Sequence, residues 1–319
     1  MGRDVADYRR SLKGRRQSWF GLKRYVKRSL AAPVLHPVLQ RATRLTPFLH
    51  VGRLPAPTTV HEVTGYADGA RFILCDPERC EIAKELYWGG GRRPEPDDAF
   101  ALDLLVNLAR RADTFLDVGA YTGVFTVATA VANPALRAHA FEIVPAVAET
   151  LRENLERNDV ADRVVVHQEG IGAPHTTMRV PTGEGGSALP SFYSARMQFD
   201  EGTKVSFRSL DDAGAEVDEH GSVVMKVDVE GAEDDVFRYG QDFLARHRPD
   251  ILCEILYGEA DSRALQAMFD PHGLRYYLVR DHDLLPVEHI RPHPRHRDWL
   301  ISRRSPAELT SLGIPVASR

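Results

Sequence analysis

The sequence predicts an α/β fold built on a mostly parallel sheet of seven strands. From residue 113 onward, short apolar runs alternate with stretches of helical periodicity. Strands that are separated by helices need crossover connections, which produce parallel sheets covered on both faces. The last two strand patterns, RYYLVR (275–280) and DWLISR (298–303), have no helical pattern between them. We therefore expect these two to pair antiparallel at one edge of the sheet.

The chain divides into four predicted segments. A basic helical arm and connector occupies residues 1–61, and a β-hairpin (VTGYADGARFILC) with a helix (PDDAFALDLLVNLARRA) occupies 62–112. The α/β domain spans 113–305, and a tail spans 306–319. Five further strand patterns are predicted in the domain: TFLDVGA (114–120), RAHAFEI (137–143), RVVVHQE (163–169), VVMKVDV (223–229) and DILCEIL (250–256).

Composition excludes several classes of protein. Of 319 residues, 43% are hydrophobic and 27% are charged, which is ordinary globular usage and rules out a disordered or fibrous chain. No apolar run reaches the roughly 18 residues that a transmembrane helix needs, and the N-terminus does not resemble a secretory signal. The sparse cysteines (Cys75, Cys80 and Cys253) indicate a reducing compartment, so we expect a cytoplasmic protein.

Charge is distributed unevenly along the chain. Residues 1–61 hold 13 Lys/Arg against two acids, a net charge of +11, while the rest carries −15. The arm pattern SLKGRRQSWFGLKRYVKRSL suits an amphipathic helix that ends before Pro33. Packing of the arm on its own acidic body or on a partner subunit, as in a homodimer, is the favoured interpretation. Peripheral attachment to the inner membrane surface is the alternative. The acidic body argues against nucleic-acid binding.

A glycine-rich turn follows the first strand of the domain. Glycines at such a strand-to-helix turn keep Cβ atoms away from a bound nucleotide. Glu142, at the tip of the next strand, is spaced to accept hydrogen bonds from ribose hydroxyls. The residues expected to bind the cofactor at this turn are Asp117, Gly119, Ala120, Tyr121 and Gly123.

Two details of the turn distinguish between nucleotides. Tyr121 replaces the middle glycine of the dinucleotide pattern, which leaves less room for a pyrophosphate. Asp117 would repel phosphate but suits an ammonium group, directly or through water. The turn therefore favours S-adenosyl-L-methionine over NAD, with an NAD-dependent oxidoreductase as the alternative enzyme. Another interpretation of Asp117 is that it caps the following turn.

Acidic residues follow or interrupt two later strands and form the candidate catalytic set. Asp228 and Glu230 are expected on one face of an extended strand, where they could take a hydroxyl proton, bind sugar hydroxyls or hold a divalent metal. Alternatively, Glu230 caps the next helix while Glu233 lies in its first turn. Glu254 interrupts an apolar strand, so it faces the cleft or has a basic partner.

Other candidate features lie at the periphery of the site. Glu169, at the tip of the third strand, could contact adenine or be a solvated loop acid. The segment 182–197 could form a lid over the acceptor or be an idle surface loop. The histidines show no H-x₃-H or H-E-x-x-H spacing, and HIRPHPRH (289–296) is interpreted as a solvated connection. No metal ligands are predicted.

Four motifs resemble the FkbM family of S-adenosylmethionine-dependent methyltransferases. They are FLDVGAYTGVFT (115–126), LDD (210–212), KVDVEGAE (226–233) and RPDILCE (248–254), in the family's order and spacing. The resemblance spans roughly residues 62–305. It implies the seven-stranded, Rossmann-like class I methyltransferase sheet. It also implies O-methylation of a small-molecule or glycan acceptor, such as a sugar or a secondary metabolite.

Two positions depart from the family pattern. The family usually has Asn where this chain has Tyr121, which puts contacts from that position to the methionine part of the cofactor in doubt. Its fifth strand often reads Glu-Ile/Val-His, whereas Glu254 is followed here by Ile255 and Leu256. We therefore expect no histidine base at that strand.

Overall fold

The structure is a computed structural model that describes residues 54–180, 202–257 and 262–318. The predicted amphipathic helix of the arm and the predicted lid (182–197) lie outside these residues. Among the described helices, none combines the length and the apolar character needed to cross a membrane.

The described residues contain thirteen strands and nine α-helices. The strands are β1 (Glu62–Ala67), β2 (Ala70–Cys75), β3 (Thr114–Val118), β4 (Arg137–Phe141), β5 (Val164–His167), β6 (Gly170–Ile171), β7 (Thr177–Val180), β8 (Thr203–Arg208), β9 (Val223–Val227), β10 (Asp250–Glu254), β11 (Arg275–Val279), β12 (Leu284–Val287) and β13 (Asp298–Ser302). The helices are α1 (Glu81–Trp88), α2 (Pro96–Ala109), α3 (Val124–Ala132), α4 (Pro145–Arg157), α5 (Leu210–Gly214), α6 (Glu233–Arg238), α7 (Gln241–His247), α8 (Ser262–Phe269) and α9 (Pro306–Ser311).

The central sheet has the order β12-β11-β13-β10-β9-β3-β4-β5. Strands β10, β9, β3, β4 and β5 pair in parallel, while β13 pairs antiparallel with both β10 and β11. The predicted α/β sheet with an antiparallel end is confirmed, although β13 lies inside the sheet rather than at its edge. The edge strand is β12, which was not predicted because it is only four residues long and contains Pro286, a residue typical of sheet edges.

The predicted β-hairpin packs against the nucleotide-side helices. Asp68 and Gly69 both have positive φ at the β1–β2 turn, as a two-residue hairpin turn requires. Asn158, directly after α4, both accepts a hydrogen bond from the amide of Ile73 and donates one to its carbonyl, which docks β2 on the helix end. The predicted helix PDDAFALDLLVNLARRA is α2, which begins at Pro96, the first residue of that pattern.

Apolar residues on both faces of the central sheet form two cores. A three-stranded sheet, β6-β8-β7, lies beside the main one. The predicted tail of 306–319 contains α9 and buries Leu309 and Ile314. This arrangement leaves the carboxyl ends of β3, β4, β9 and β10 together at one end of the sheet, which is where open α/β sheets bind ligands.

Candidate functional site

A cavity of about 1000 Å³ opens at the carboxyl ends of the central strands. One part is lined by the glycine-rich turn after β3 and by the residues that follow β4 and β5. The other part is lined by charged side chains from β9, β10, α2 and the start of β13. The charged lining residues of this second part are Arg93, Asp98, Lys226, Asp228, Glu230, Glu254, Arg297 and Asp298.

Two glycines of the turn are required by close approaches of the backbone. Gly119 has φ +83°, and a Cβ there would lie 1.8 Å from the carbonyl oxygen of Asp228. Gly123 has φ +84° and begins α3, where a Cβ would lie 2.1 Å from Leu151 Cδ1. Ala120 and Tyr121 lie between them and line the cavity. The turn therefore presents backbone rather than side chain to a ligand.

Glu142 supports this turn from the neighbouring strand. Its carboxylate accepts hydrogen bonds from the amides of Tyr121 at 2.9 Å and Val144 at 2.8 Å. Burial raises the pKa of Glu142 to about 7, although these two bonds favour the charged form. Because Glu142 also lines the cavity, it can face a ligand while it fixes the turn.

Asp117 has a different environment from the one predicted. It is 1% exposed, does not line the cavity, and accepts a hydrogen bond from the hydroxyl of Thr126 at 2.5 Å. Burial raises the pKa of Asp117 to about 6. The side chain anchors the first turn of α3, in keeping with the capping interpretation. Its contact with an ammonium group, directly or through water, stays a prediction.

Glu169 lines the cavity below the tip of β5. Its carboxylate lies 2.8 Å from Arg208 Nε and 3.6 Å from His167 Nδ1. It is therefore paired rather than freely solvated, and its contact with adenine stays a prediction.

A buried lysine organises the charged part of the cavity. Lys226 is 3% exposed, and its Nζ lies 3.2 Å from Asp298 and 3.5 Å from Asp228. It also lies 5.5 Å from the centre of the Phe125 ring, within cation–π range. Burial favours the neutral amine, but the two carboxylates outweigh it and raise the pKa of Lys226 above its usual value. The ammonium group is therefore a permanent charge.

Asp228 and Glu254 differ in protonation although they are neighbours. Burial opposes ionisation of Asp228, but Lys226 and a hydrogen bond from Glu254 lower its pKa below the usual range. Burial and the negative charge of Asp228 raise the pKa of Glu254 well above its usual value. Glu254 also lines the cavity, 3.0 Å from Arg297. Both predicted environments of Glu254, the cleft and a basic partner, thus occur together.

Glu230 is not on the strand face predicted for it. Strand β9 ends at Val227, and Glu230 has φ +54°, so the period-two relationship with Asp228 is wrong. Of the capping alternative, Glu233 does lie in the first turn of α6, but the residue at the N-cap position is Ala232 rather than Glu230. Glu230 is nevertheless exposed and lines the cavity.

Comparison with known families identifies the chain. The sequence matches the Methyltransferase FkbM domain over residues 117–286, which is more than half of its length. This chain belongs to the FkbM methyltransferase family. The match contains the glycine-rich turn, Glu142, Asp228 and Glu254. No curated protein matches this FkbM chain.

Solved structures resemble this FkbM chain only distantly. Methyltransferase FkbM from Methylobacillus flagellatus KT is 18% identical with a TM-score of 0.40, and the match covers 60% of this chain and 44% of that one. This chain thus spans less than half of that protein's length. An O-methyltransferase from Bacillus cereus, solved in complex with SAH, is 12% identical with a TM-score of 0.37, covering 63% of this chain and 78% of that one. At these scores the likenesses carry no argument about activity.

Several charged residues of this FkbM site were not predicted from the sequence. The sequence could have indicated Lys226, because a charged residue inside the apolar run VVMKVDV must have a partner when it is buried. No sequence pattern indicates Arg297 and Asp298. They reach the site only through the pairing of β13 with β10, which places Asp298 opposite Glu254. Arg93 lies 2.9 Å from Asp98 and closes the cluster on the α2 side.

The histidine-rich segment 289–296 is also corrected by the structure. Its last residue, His296, is 8% exposed, so the segment is not a solvated connection throughout. The rings of His293 and His296 stack with their centres 5.0 Å apart.

Proposed function

We propose that this chain transfers a methyl group from S-adenosylmethionine to a hydroxyl oxygen of a sugar, glycan or other polyhydroxylated metabolite. Membership of the FkbM family supports methyl transfer. The observation that carries the rest is that one cavity joins the glycine-rich turn and Glu142 to the ionised Asp228. Donor and acceptor can therefore meet in a single enclosed space.

The residues of the turn fit an S-adenosylmethionine nucleoside. Gly119 and Gly123 leave backbone-lined space where side chains would otherwise intrude. Each carboxylate oxygen of Glu142 accepts one hydrogen bond, from the Tyr121 or the Val144 amide. Each oxygen therefore keeps a lone pair that can accept a hydrogen bond from a ribose hydroxyl. Phe141 and Val144 supply apolar surface beside it. When bound, S-adenosylmethionine supplies an electrophilic methyl carbon.

The charged part of the cavity fits a hydroxyl-rich acceptor. Asp228 is held ionised by Lys226 and can accept the proton of an attacking hydroxyl. General-base help of this kind is worth about 10²- to 10⁴-fold in rate. Alignment of the two reactants can contribute more, up to ~7–11 kcal/mol. We therefore assign the larger share to positioning by Glu254, Arg297 and Asp298, whose polar groups match several hydroxyls at once.

The proposal is tested first by binding. Titration calorimetry of the full-length chain should show S-adenosylmethionine or its demethylated product binding, with no binding of NAD. Glu142→Ala should weaken binding by roughly 1–3 kcal/mol, the cost of losing hydrogen bonds to a charged group. Glu149→Ala, on the exposed side of α4, is the control and should leave donor binding unchanged. Binding of NAD without any response to the methyl donor would reject the proposal in favour of an oxidoreductase.

The second test concerns the acceptor. Incubation with the methyl donor and a panel of glycosides and hydroxylated metabolites should give a product whose mass rises by one methylene. Fragmentation should place the new methyl on oxygen. Methylation confined to nitrogen or carbon would leave the donor site intact but overturn the hydroxyl assignment.

A further inference from the structure

A second cluster of ligand-type side chains lies outside the cavity. Asp97, Asp281 and His296 each offer one ligand atom, and these three atoms lie within 4.8 Å of one another. The histidine nitrogen is 3.4 Å from Asp97 and 3.9 Å from Asp281. The three residues come from the first turn of α2, the turn between β11 and β12, and the segment before β13. The fold thus brings them together from distant parts of the sequence.

Two of these three atoms are buried without a hydrogen bond. His296 is 8% exposed, and within the described ranges neither its Nδ1 nor Asp281 Oδ1 has a hydrogen-bond partner. A buried polar atom left in this condition costs about 1–3 kcal/mol, and native proteins rarely retain one. A charged imidazolium would donate from Nδ1 to one carboxylate, yet neither oxygen has hydrogen-bond geometry toward it. A cation between the three atoms satisfies all of them together.

We propose that Asp97, Asp281 and His296 bind a divalent first-row transition-metal ion, for which Zn²⁺ is the probe. Zn²⁺ takes imidazole nitrogen and carboxylate oxygen at about 2.0–2.2 Å in a tetrahedron, so neighbouring ligand atoms lie roughly 3.3–3.6 Å apart. The observed separations of 3.4 and 3.9 Å come close to these values. The fourth position is available to a water molecule.

Outer contacts hold the ligands in place, as they do in metal sites. The guanidinium of Arg295 bonds Asp281 Oδ2 at 2.7 Å, which leaves Oδ1 for the ion. The amide of Asp98 donates to Asp97 Oδ1 at 3.1 Å, which leaves Oδ2. His293 accepts a hydrogen bond from the His296 amide at 3.0 Å and stacks on its ring.

The cluster lies next to the charged part of the cavity in the sequence. Asp97 precedes Asp98, and His296 precedes Arg297, and both of the following residues line the cavity. An ion bound to Asp97 and His296 would therefore fix these two charged residues relative to each other. The role is positional, because none of the three ligands lines the cavity itself.

The experiment uses the full-length chain, stripped with a chelator and titrated with Zn²⁺ by calorimetry, with Mg²⁺ as the hard-ion comparison. We expect one Zn²⁺ per chain, at least 10-fold tighter than Mg²⁺. Asp281→Asn and His296→Gln should each weaken Zn²⁺ binding by 10-fold or more. The melting temperature of the wild type should rise with Zn²⁺, and that of the variants should not.

A matched control separates this site from the other histidine cluster of the described residues. His139, His167 and Glu216 also converge, but there His139 Nδ1 and His167 Nε2 already form a hydrogen bond with each other at 3.1 Å. His167→Gln should therefore leave Zn²⁺ binding unchanged. Absence of Zn²⁺ binding by the wild type would overturn the proposal, and so would binding that survives His296→Gln but is lost in His167→Gln. If one variant fails to fold, Asp97→Asn gives the same comparison, since it keeps an oxygen for the Asp98 amide.

Discussion

The ammonium group of Lys226 lies 3.5 Å from the carboxylate of Asp228 at the end of the central sheet. Lys226 lies in β9 and Asp228 directly follows its last residue, and the short contact shows that both side chains reach the same side of the sheet. Lys226 stays protonated, which excludes it as a proton acceptor and makes it a fixed counter-charge for Asp228. Neither of the ligand clusters found in the described residues includes Asp228 or Glu230.

The first prediction is that Asp228→Asn affects turnover more than donor binding. The substitution keeps the shape of the side chain but removes its ability to accept a proton and its charge beside Lys226. We expect kcat to fall about 10²-fold or more, with donor affinity nearly unchanged. Steady-state kinetics and calorimetry measure the two quantities, with Asp162→Asn at an exposed loop as the control. Equal losses in donor binding and melting temperature would instead identify Asp228 as structural.

The second prediction concerns stability. Lys226→Met should lower the free energy of unfolding at pH 7 by about 1–3 kcal/mol, because it leaves the carboxylates of Asp228 and Asp298, which are 35% and 16% exposed, without their cation. The loss should shrink as the pH falls. Without Lys226, the folded-state pKa of Asp228 rises above its unfolded value, so the variant regains stability when this carboxyl is protonated. Urea denaturation at pH 5 and pH 7 measures the difference, and a loss independent of pH would contradict it.

The strands of the parallel sheet could be predicted from the sequence, but much of the charged site could not. Alternating apolar runs and the glycine-rich turn are local patterns, and they fix the strand-end position of Glu142 and Asp228. Asp298 meets Glu254 only because β13 inserts between β10 and β11, which no local pattern encodes. The environment of Asp117 was out of reach for a related reason: its strand-end position was clear, but its direction toward Thr126 depends on how α3 packs.

The third prediction tests the close approach between the turn and β9. Gly119→Ala would place a Cβ 1.8 Å from the Asp228 carbonyl oxygen, so the two strand ends must separate. We expect a loss of several kcal/mol in unfolding free energy and loss of donor binding. Gly313→Ala is the matched control, because Gly313 has the same φ of +83° with nothing within 4 Å of the new Cβ. That control should lose only about 1–2 kcal/mol, the cost of the left-handed backbone. Similar losses at both positions would show that the contact with Asp228 is unimportant.

The fourth prediction is a pH dependence that comes from Glu142. Its folded-state pKa of about 7 lies above the ordinary value, so the wild type should lose stability as the pH rises from about 4.5 to about 7. The loss from this group is roughly 3 kcal/mol. Glu142→Gln should remove the share of the slope that comes from this group and leave the shares of other buried carboxyls with raised pKa values, such as Asp117 and Glu254. Denaturation at several pH values measures the dependence of the unfolding free energy on pH, with Glu149→Gln as the control. An unchanged slope in Glu142→Gln would show that this carboxyl is not responsible.

The fifth prediction concerns the basic arm, which carries +11 against the −15 of the remaining chain. The described part of the chain sets the boundary for truncation. The indole of Trp88 donates to the Leu54 carbonyl at 3.2 Å, and Ala56 is buried, so residues from 54 onward belong to the body. A chain beginning at Leu54 should therefore fold and bind the donor with unchanged affinity. A chain beginning at His61 lacks these contacts and should melt at a lower temperature.

The function of the arm is then tested with vesicles that contain phosphatidylserine. If the arm attaches the protein to a membrane surface, the full-length chain should sediment with these vesicles more than the chain beginning at Leu54 does. Added salt should reverse the difference, because exposed charges are screened beyond about 8–10 Å at physiological ionic strength. Vesicles of phosphatidylcholine alone are the control. No binding, or binding that is insensitive to salt, would exclude attachment and favour packing on the acidic body. That alternative predicts a truncated chain that aggregates, whereas a dimer that dissociates on truncation would place the arm on a partner subunit.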